Sequence, residues 1–150
     1  MTSPRPIEAT IRIDAPPAAV WEVLSDVRRM PEFSPELRKV VVLGRGSGTG
    51  VRFVGVNRRG VVVWPTLSTV VRWEPQQAIA WRTRESGATW LYEVEPLGTG
   101  SRLTGRRILP RFTRGTAMLG PVIGGAVGHD AELAEGMRTT LERMRTRIER

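Results

Sequence analysis

Residues 7–37, IEATIRIDAPPAAVWEVLSDVRRMPEFSPEL, decide the fold because they place a strand, a helix and an aromatic-bearing turn in close succession. Apolar and polar side chains alternate over the first eight of these residues, which predicts a strand with one face toward a core. Pro16 and Pro17 lack amide donors that a first helical turn can spare, so a helix should start there, capped near Asp14 or Ala15. Its apolar stripe consists of Val20, Val23, Leu24 and Val27, with Trp21 beside it.

The sequence pattern predicts strands in the middle of the chain and a helix at its end. Further strands are expected at 37–43, 51–59, 61–74, 78–85, 89–95 and 102–109. Short turns separate most of these strands, so the sheet should be antiparallel, with about seven strands in all. The glycine-rich stretch 44–50 leads into a strand and not a helix, so it predicts a hairpin loop and not a phosphate-binding loop. The end of the chain has one apolar stripe at helical spacing, formed by Leu133, Met137, Leu141, Met144 and Ile148.

Several short motifs resemble one known family. They are 13–16, 20–24, Asp26, the turn 30–35, the strand-like 90–96, the hairpin-like 98–104 and the helical 137–142. Together they resemble the START-like, birch-pollen-allergen-like superfamily (SRPBCC), and within it the polyketide cyclase/dehydrase and lipid-transport group. The resemblance covers nearly the whole chain. It implies an α+β helix-grip fold, in which a curved antiparallel sheet wraps around a long C-terminal helix and two short helices follow the first strand.

Length and composition exclude several classes of site. The 150 residues suit a single domain spanning 1–150. Without cysteine there is no disulfide, no thiolate metal site and no cysteine nucleophile, and a single histidine excludes a multi-histidine metal cluster. We therefore expect no metal and no cofactor. The opening MTSPRPIEA lacks the apolar core of a secretory signal, so the cytoplasm is the expected compartment.

The net charge of +8 comes almost entirely from arginine, since Lys39 is the only lysine. Such a charge could attract nucleic acid or an anionic membrane. The arginines are spread over the predicted strands and the terminal helix, however, and the chain has neither an RNA-binding signature nor zinc-ligand spacing. The pattern therefore predicts no dedicated nucleic-acid site.

Strand alternation predicts which side chains face the concave side of the sheet, if charged residues face solvent. The inward set is then Val51, Phe53, Gly55, Asn57, Val71, Trp73, Ile79, Trp81, Thr83, Trp90, Tyr92 and Val94. Each aromatic ring has two interpretations, an ordinary core residue or the wall of a ligand cavity. The number of large rings on one face favours irregular gaps, and therefore a cavity. The resemblance implies that apolar molecules bind between sheet and helix.

Polar residues on this face are candidates for orienting a ligand. Asn57, Thr83 and Tyr92 face inward by the same alternation, and Arg107 does so if its strand is regular. A buried guanidinium needs a partner, and a ligand carboxylate, enol or phenolate would serve. The alternative for Arg107 is a bulge at the sheet edge that lets both it and Arg106 reach solvent.

The glycine-broken apolar segment 112–130 has two interpretations: the first turns of the long helix, or a flap over the cavity. Its apolar side chains, Met118 among them, could also contact a membrane transiently, with Arg111 and Arg114 near acidic headgroups. His129 lies at its end and is a weak candidate for a catalytic base. The full set of predicted ligand-binding residues is Phe33, Phe53, Asn57, Trp73, Trp81, Thr83, Trp90, Tyr92, Arg107, Met118, His129 and Met137.

Three functions remain open at this point. The first is binding or transport of a small hydrophobic molecule, whether aromatic, polyketide-like or lipid. The second, implied by the resemblance, is a polyketide cyclase, aromatase or dehydratase that uses the same cavity and needs an acid–base pair inside it. The third is a partner-binding protein of the same superfamily with a small cavity. The catalytic residues, the oligomeric state and the ligand do not follow from the sequence.

Overall fold

The computed structural model describes the backbone of residues 7–110 and 126–150, and side chains up to 110 and from 131 onward. Its elements, in chain order, are β1 (Ile7–Ile13), α1 (Pro17–Leu24), a 3₁₀ helix (Val27–Glu32), β2 (Leu37–Leu43), β3 (Arg52–Arg59), β4 (Val62–Glu74), β5 (Ala78–Thr83), β6 (Thr89–Leu97), β7 (Gly100–Ile108) and α2 (Ala126–Ile148). The strands form one antiparallel sheet of seven in the order β1-β7-β6-β5-β4-β3-β2. The predicted helix-grip fold is therefore confirmed.

Two short helices follow β1, as predicted. Pro16 is the N-cap of α1, so the helix begins at the proline pair, just after the predicted Asp14 or Ala15. Its stripe buries Val20, Val23 and Leu24. The side chain of Asp26 caps the 3₁₀ helix by accepting a hydrogen bond from the Arg28 amide at 3.1 Å.

The helix α2 packs against β1 and β7, near one edge of the sheet. Its stripe is buried at Leu133, Met137, Leu141 and Met144. The approach is close at Gly105 of β7, where an added Cβ would lie 2.6 Å from the sulfur of Met137. Glycine lets the Met137 side chain of the helix approach the strand closely at this point, and α2 rests on the β1–β7 side and leaves the concave face of β3–β6 less covered.

The register of β4 differs from the sequence-based prediction. A bulge between Val70 and Arg72 shifts the pairing of β4 with β5. Val70 is therefore buried opposite Trp81, whereas Val71 is 40% exposed. The prediction that Val71 faces inward was wrong, because one unpaired residue reverses the alternation in the first half of the strand.

Ion pairs cover the outer face of the sheet. Arg106 contacts Glu8 at 3.1 Å and Glu93 at 2.7 Å, and Arg72 contacts Glu74 at 2.7 Å. These arginines are thus paired on a solvated surface, where each pair contributes little to stability. This arrangement fits a scaffold role for these charges.

The bulge generates a test with two adjacent valines. Val70→Ala should lower the free energy of unfolding by about 2 kcal/mol, because it removes two buried methyl groups and leaves a cavity. Val71→Ala makes the same chemical change on the solvent side and should cost less than about 0.5 kcal/mol. Urea denaturation of both variants measures the difference. Equal losses, or a larger loss for Val71→Ala, would contradict the observed register.

Candidate ligand-binding cavity

A cavity of about 550 Å³ lies between the concave face of the sheet and α2. Residues of β3, β4, β5 and β6 form its floor, and α2 contributes Leu133, Gly136, Met137 and Thr140. Its mouth lies where β3 ends and β4 begins, opposite the segment that joins the 3₁₀ helix to β2. A volume of this size suits a small organic ligand.

Three aromatic rings form the inner wall of the cavity. The rings of Phe53 and Trp81 are 5.8 Å apart, edge to face, and Trp81 lies 5.5 Å from Tyr92. All three side chains are buried and line the cavity. Trp90 continues the wall toward the mouth and is partly buried. Antiparallel pairing places Trp81 directly opposite Trp90, so two neighbouring strands build one apolar surface.

Neutral polar groups lie on the same wall. The hydroxyls of Ser68 and Thr83 are 2.9 Å apart and buried. The side-chain amide of Asn57 donates to the hydroxyl of Thr66 at 3.1 Å and to the carbonyl of Trp64 at 3.3 Å. These groups satisfy one another and leave lone pairs and hydroxyl protons with which a ligand oxygen could bond.

Tyr92 is the most deeply buried ionisable group of the cavity wall. Its side chain is 2% exposed, and burial raises the pKa of the phenol well above its ordinary value. Among the described residues, its hydroxyl has no hydrogen-bond partner. The group therefore stays protonated at neutral pH and can donate a hydrogen bond into the cavity.

Charged side chains of the cavity lie at its rim. Arg59, at the end of β3, forms a two-point ion pair with Glu132 of α2, at 2.5 and 2.6 Å. Arg143 of α2 donates to the carbonyl of Phe33 at 3.3 Å. Glu132 is 53% exposed, so the pair bridges sheet and helix at the solvent edge of the mouth. The charges surround the opening, while the interior is neutral.

The structure brings together seven residues of the sequence-predicted set. Phe53, Asn57, Trp81, Thr83, Trp90, Tyr92 and the helix residue Met137 line the cavity, the last because it belongs to the buried stripe of α2. Phe33 is buried beside the mouth, where its carbonyl meets Arg143. Met118 lies outside the described residues, as does the side chain of His129.

Two predicted residues lie elsewhere. Trp73 packs edge to face against Trp21 of α1, 5.2 Å away, at the end of the sheet opposite the mouth. Arg107 follows Gly105 on the inner face of an unshifted strand, so the bulge considered for β7 is absent from the pairing of Gly100–Ile108. Its guanidinium carbon lies 5.5 Å from the ring centroid of Trp90, a cation–π geometry on the inner face beside the cavity wall.

Sequence reasoning missed several cavity residues. Ser68 and Thr66 face inward because they pair with Phe53 and Gly55, whose orientation was predicted. Following that hairpin register, instead of the charges at the far end of β4, would have found them. Gly136 and Thr140 were missed because the helical stripe was identified from large apolar residues alone.

A second hollow, of about 670 Å³, lies on the outer face of the sheet. Arg72, Glu93 and Arg106 line it, and these side chains are paired with one another. It is a gap between surface ion pairs and lacks the apolar wall of the inner cavity.

Within the described ranges, no group of three or more His, Cys, Asp or Glu side chains is placed to hold a metal. No described helix is long and apolar enough to cross a membrane.

Comparison with known proteins assigns the family. The model of the family "Polyketide cyclase / dehydrase and lipid transport" matches residues 5–149. The chain belongs to this family. No curated protein matches it. The resemblance inferred from the motifs between residues 13 and 142 is thereby confirmed.

Solved structures share the fold at low sequence identity. The solution structure of KanY has a TM-score of 0.75 and 22% identity, with 100% of both chains covered. Zhui aromatase/cyclase from Streptomyces sp. R1128 has a TM-score of 0.68 and 20% identity, covering 97% of this chain and 94% of that one. The Polyketide_cyc-like protein Cgl2372 from Corynebacterium glutamicum has a TM-score of 0.59 and 27% identity, covering 97% and 89%.

The burial of Tyr92 predicts its titration. It is the only tyrosine in the chain, so the ultraviolet absorbance of tyrosinate reports this residue alone. In the folded protein the phenolate should form only above the ordinary pKa of about 10. Because the pKa of Tyr92 is raised in the folded state, the buried phenol contributes fully to the stability of the fold below about pH 10. This contribution is lost as the pH rises further. Tyrosinate forming near pH 10 while circular dichroism still shows folded protein would contradict a buried phenol.

Proposed function

We propose that this protein binds and carries a small, largely apolar molecule with at least one neutral oxygen, of aromatic, polyketide-like or lipid type. The observation that carries the proposal is the inner cavity, with its wall of Phe53, Trp81, Trp90 and Tyr92. Burial of apolar ligand surface against these rings supplies the driving force for binding. The family name, which includes both polyketide cyclases and lipid transport, supports the same ligand class.

The polar groups inside the cavity favour an uncharged ligand head. Ser68, Thr83, Asn57 and Tyr92 carry no charge at neutral pH, and the described acidic and basic side chains of the lining lie at the rim. A carboxylate placed deep among Ser68, Thr83 and Tyr92 would lose its hydration beside neutral groups, which is costly. A carbonyl or hydroxyl can instead accept from the Tyr92 phenol or exchange with the Ser68–Thr83 pair.

The second candidate is a polyketide cyclase, aromatase or dehydratase, favoured by the family and by the fold shared with Zhui aromatase/cyclase. Such chemistry needs a base as well as an acid beside the reacting carbon. Tyr92 could act as the acid. On the described cavity wall the carboxylates are Glu36, Glu132 and Glu135, and Glu132 and Glu135 are solvent-exposed and paired with arginines. This arrangement supports binding over catalysis.

Tyr92→Phe distinguishes the two candidates. For an aromatic ligand with a carbonyl or hydroxyl, the variant should weaken binding by about 0.5–1.5 kcal/mol, the usual net value of one hydrogen bond. For the matching ligand without that oxygen, affinity should be unchanged. Quenching of tryptophan emission, titrated to saturation, measures both affinities. If Tyr92→Phe keeps binding but lowers turnover of a poly-keto substrate more than about a hundredfold, the enzyme replaces the carrier.

A blocking variant controls for the place of binding. Gly136 lies in the mouth, and a Cβ there has its nearest neighbours at 3.8 Å, in Pro35. Gly136→Leu should fill the mouth without unfolding the helix, because glycine is a poor helix former. Thr146→Leu, on the exposed side of the same helix, is the matched control. Binding that survives Gly136→Leu unchanged would place the ligand outside this cavity.

A further inference from the structure

The hairpin that joins β3 to β4 projects beyond the rest of the sheet. Pairing of β3 with β2 stops at Asn57, and pairing of β4 with β5 starts at Ser68. Beyond these points Arg58 pairs with Val63 and Arg59 with Val62, so residues 58–63 form a short two-stranded ribbon at the end of the sheet. Its turn is Gly60-Val61, with Gly60 at a φ of 63°, the positive value that a tight hairpin turn requires at its first position.

The tip of this ribbon is apolar and exposed. Val61 is 95% exposed, Val62 60% and Val63 58%. Successive side chains of a strand point to opposite faces, so the three valines present apolar surface on both sides of the ribbon. Core packing does not explain them. We call Val61, Val62 and Val63 the valine tip.

Basic residues lie beside the valine tip, and one of them, Arg59, is paired with Glu132. Arg58 and Arg59 precede the turn, and Arg58 donates to the carbonyl of Gly60 at 2.8 Å, which holds its charge beside the turn. Arg38 and Arg143 lie on the same cavity rim. Trp64, the next residue after the tip, is partly buried at the base of the ribbon. In a bilayer the acyl chains lie deepest, the interface comes next and the acidic headgroups lie outermost. The valine tip, the indole of Trp64 and the arginines follow one another in the same order.

We propose that the valine tip docks on an anionic lipid bilayer and turns the cavity mouth toward the membrane. A fluid lipid bilayer can surround a projection that is apolar on both faces, whereas the surface of a folded protein partner would cover only one face. The net charge of +8 complements acidic headgroups. Arg58, Arg59 and Gly60 also line the mouth, so an inserted tip places the opening at the lipid surface. Transfer of an apolar ligand there rests on the proposed function, but docking itself does not.

Vesicle flotation tests the docking. The full-length protein should float with vesicles of phosphatidylcholine and phosphatidylglycerol, and less with phosphatidylcholine alone. Val61→Ser combined with Val62→Ser should weaken binding to the mixed vesicles by about tenfold or more. Val41→Ser is the matched control, because Val41 is 43% exposed on β2, away from the tip, and it should bind as the wild type does.

Charge is tested separately. Arg58→Gln should weaken binding to the anionic vesicles about fivefold, and added salt should reduce the difference. Arg102→Gln removes the same charge at the opposite end of the sheet and should have little effect. Equal losses for both variants would indicate a diffuse attraction to net charge and would overturn the docking site.

Three further outcomes contradict the proposal. If the wild-type protein does not bind anionic vesicles but does bind an apolar fluorescent probe, the docking proposal is wrong and the proposed function is unaffected. A probe-binding defect in the valine variants without vesicles would mean that the tip supports the cavity instead. If sedimentation shows a wild-type dimer that Val61→Ser converts to a monomer, the tip is a contact between two copies of this chain.

Discussion

The close approach of α2 to β7 at Gly105 is the constraint on which the cavity depends. A Cβ at this position would lie 2.6 Å from the sulfur of Met137 and 3.1 Å from the ring of Tyr92, so a larger residue would displace the side chains through which the helix meets the sheet. Because the helix is seated at β1 and β7, the curved sheet turns away from it over β3–β6. The space between them cannot collapse without breaking the pairing of the strands. The cavity is thus a consequence of where the helix is anchored.

The distribution of polarity follows from the same geometry. Side chains beneath the helix are shielded from water, so charge there would be costly without a partner, and the described interior uses hydroxyl and amide groups that bond to one another. Ion pairs such as Arg59–Glu132 lie at the rim, where water solvates their charges. An apolar chamber with neutral polar anchors and a charged rim fits the proposed ligand, a largely apolar molecule with a neutral oxygen atom.

The sequence predicted the fold and part of the cavity, for physical reasons that differ between strands. In β5 and β6 each arginine or glutamate on the outer face fixes the inward position of Trp81, Trp90 and Tyr92, so alternation sufficed. In β4 the same rule failed because a bulge at Val71 reverses the orientation of the preceding residues, and local pattern does not reveal a bulge. Trp73 was predicted to face inward and to line the cavity, but its packing against Trp21 shows that it lies at the other end of the sheet. The exposed valine tip contradicts the usual rule that apolar runs are buried, so only the structure identifies it.

The most direct measurement is nuclear magnetic resonance of the protein with an oxygen-bearing aromatic ligand, read at the five tryptophan indoles. The account predicts ligand contacts to the indoles of Trp81 and Trp90 and to the Tyr92 ring, with unchanged signals from the Trp21–Trp73 pair at the other end of the sheet. The contradicting result is saturable binding that shifts Trp21 and Trp73, or outer-face residues such as Ala80, and leaves Trp81 and Trp90 unperturbed.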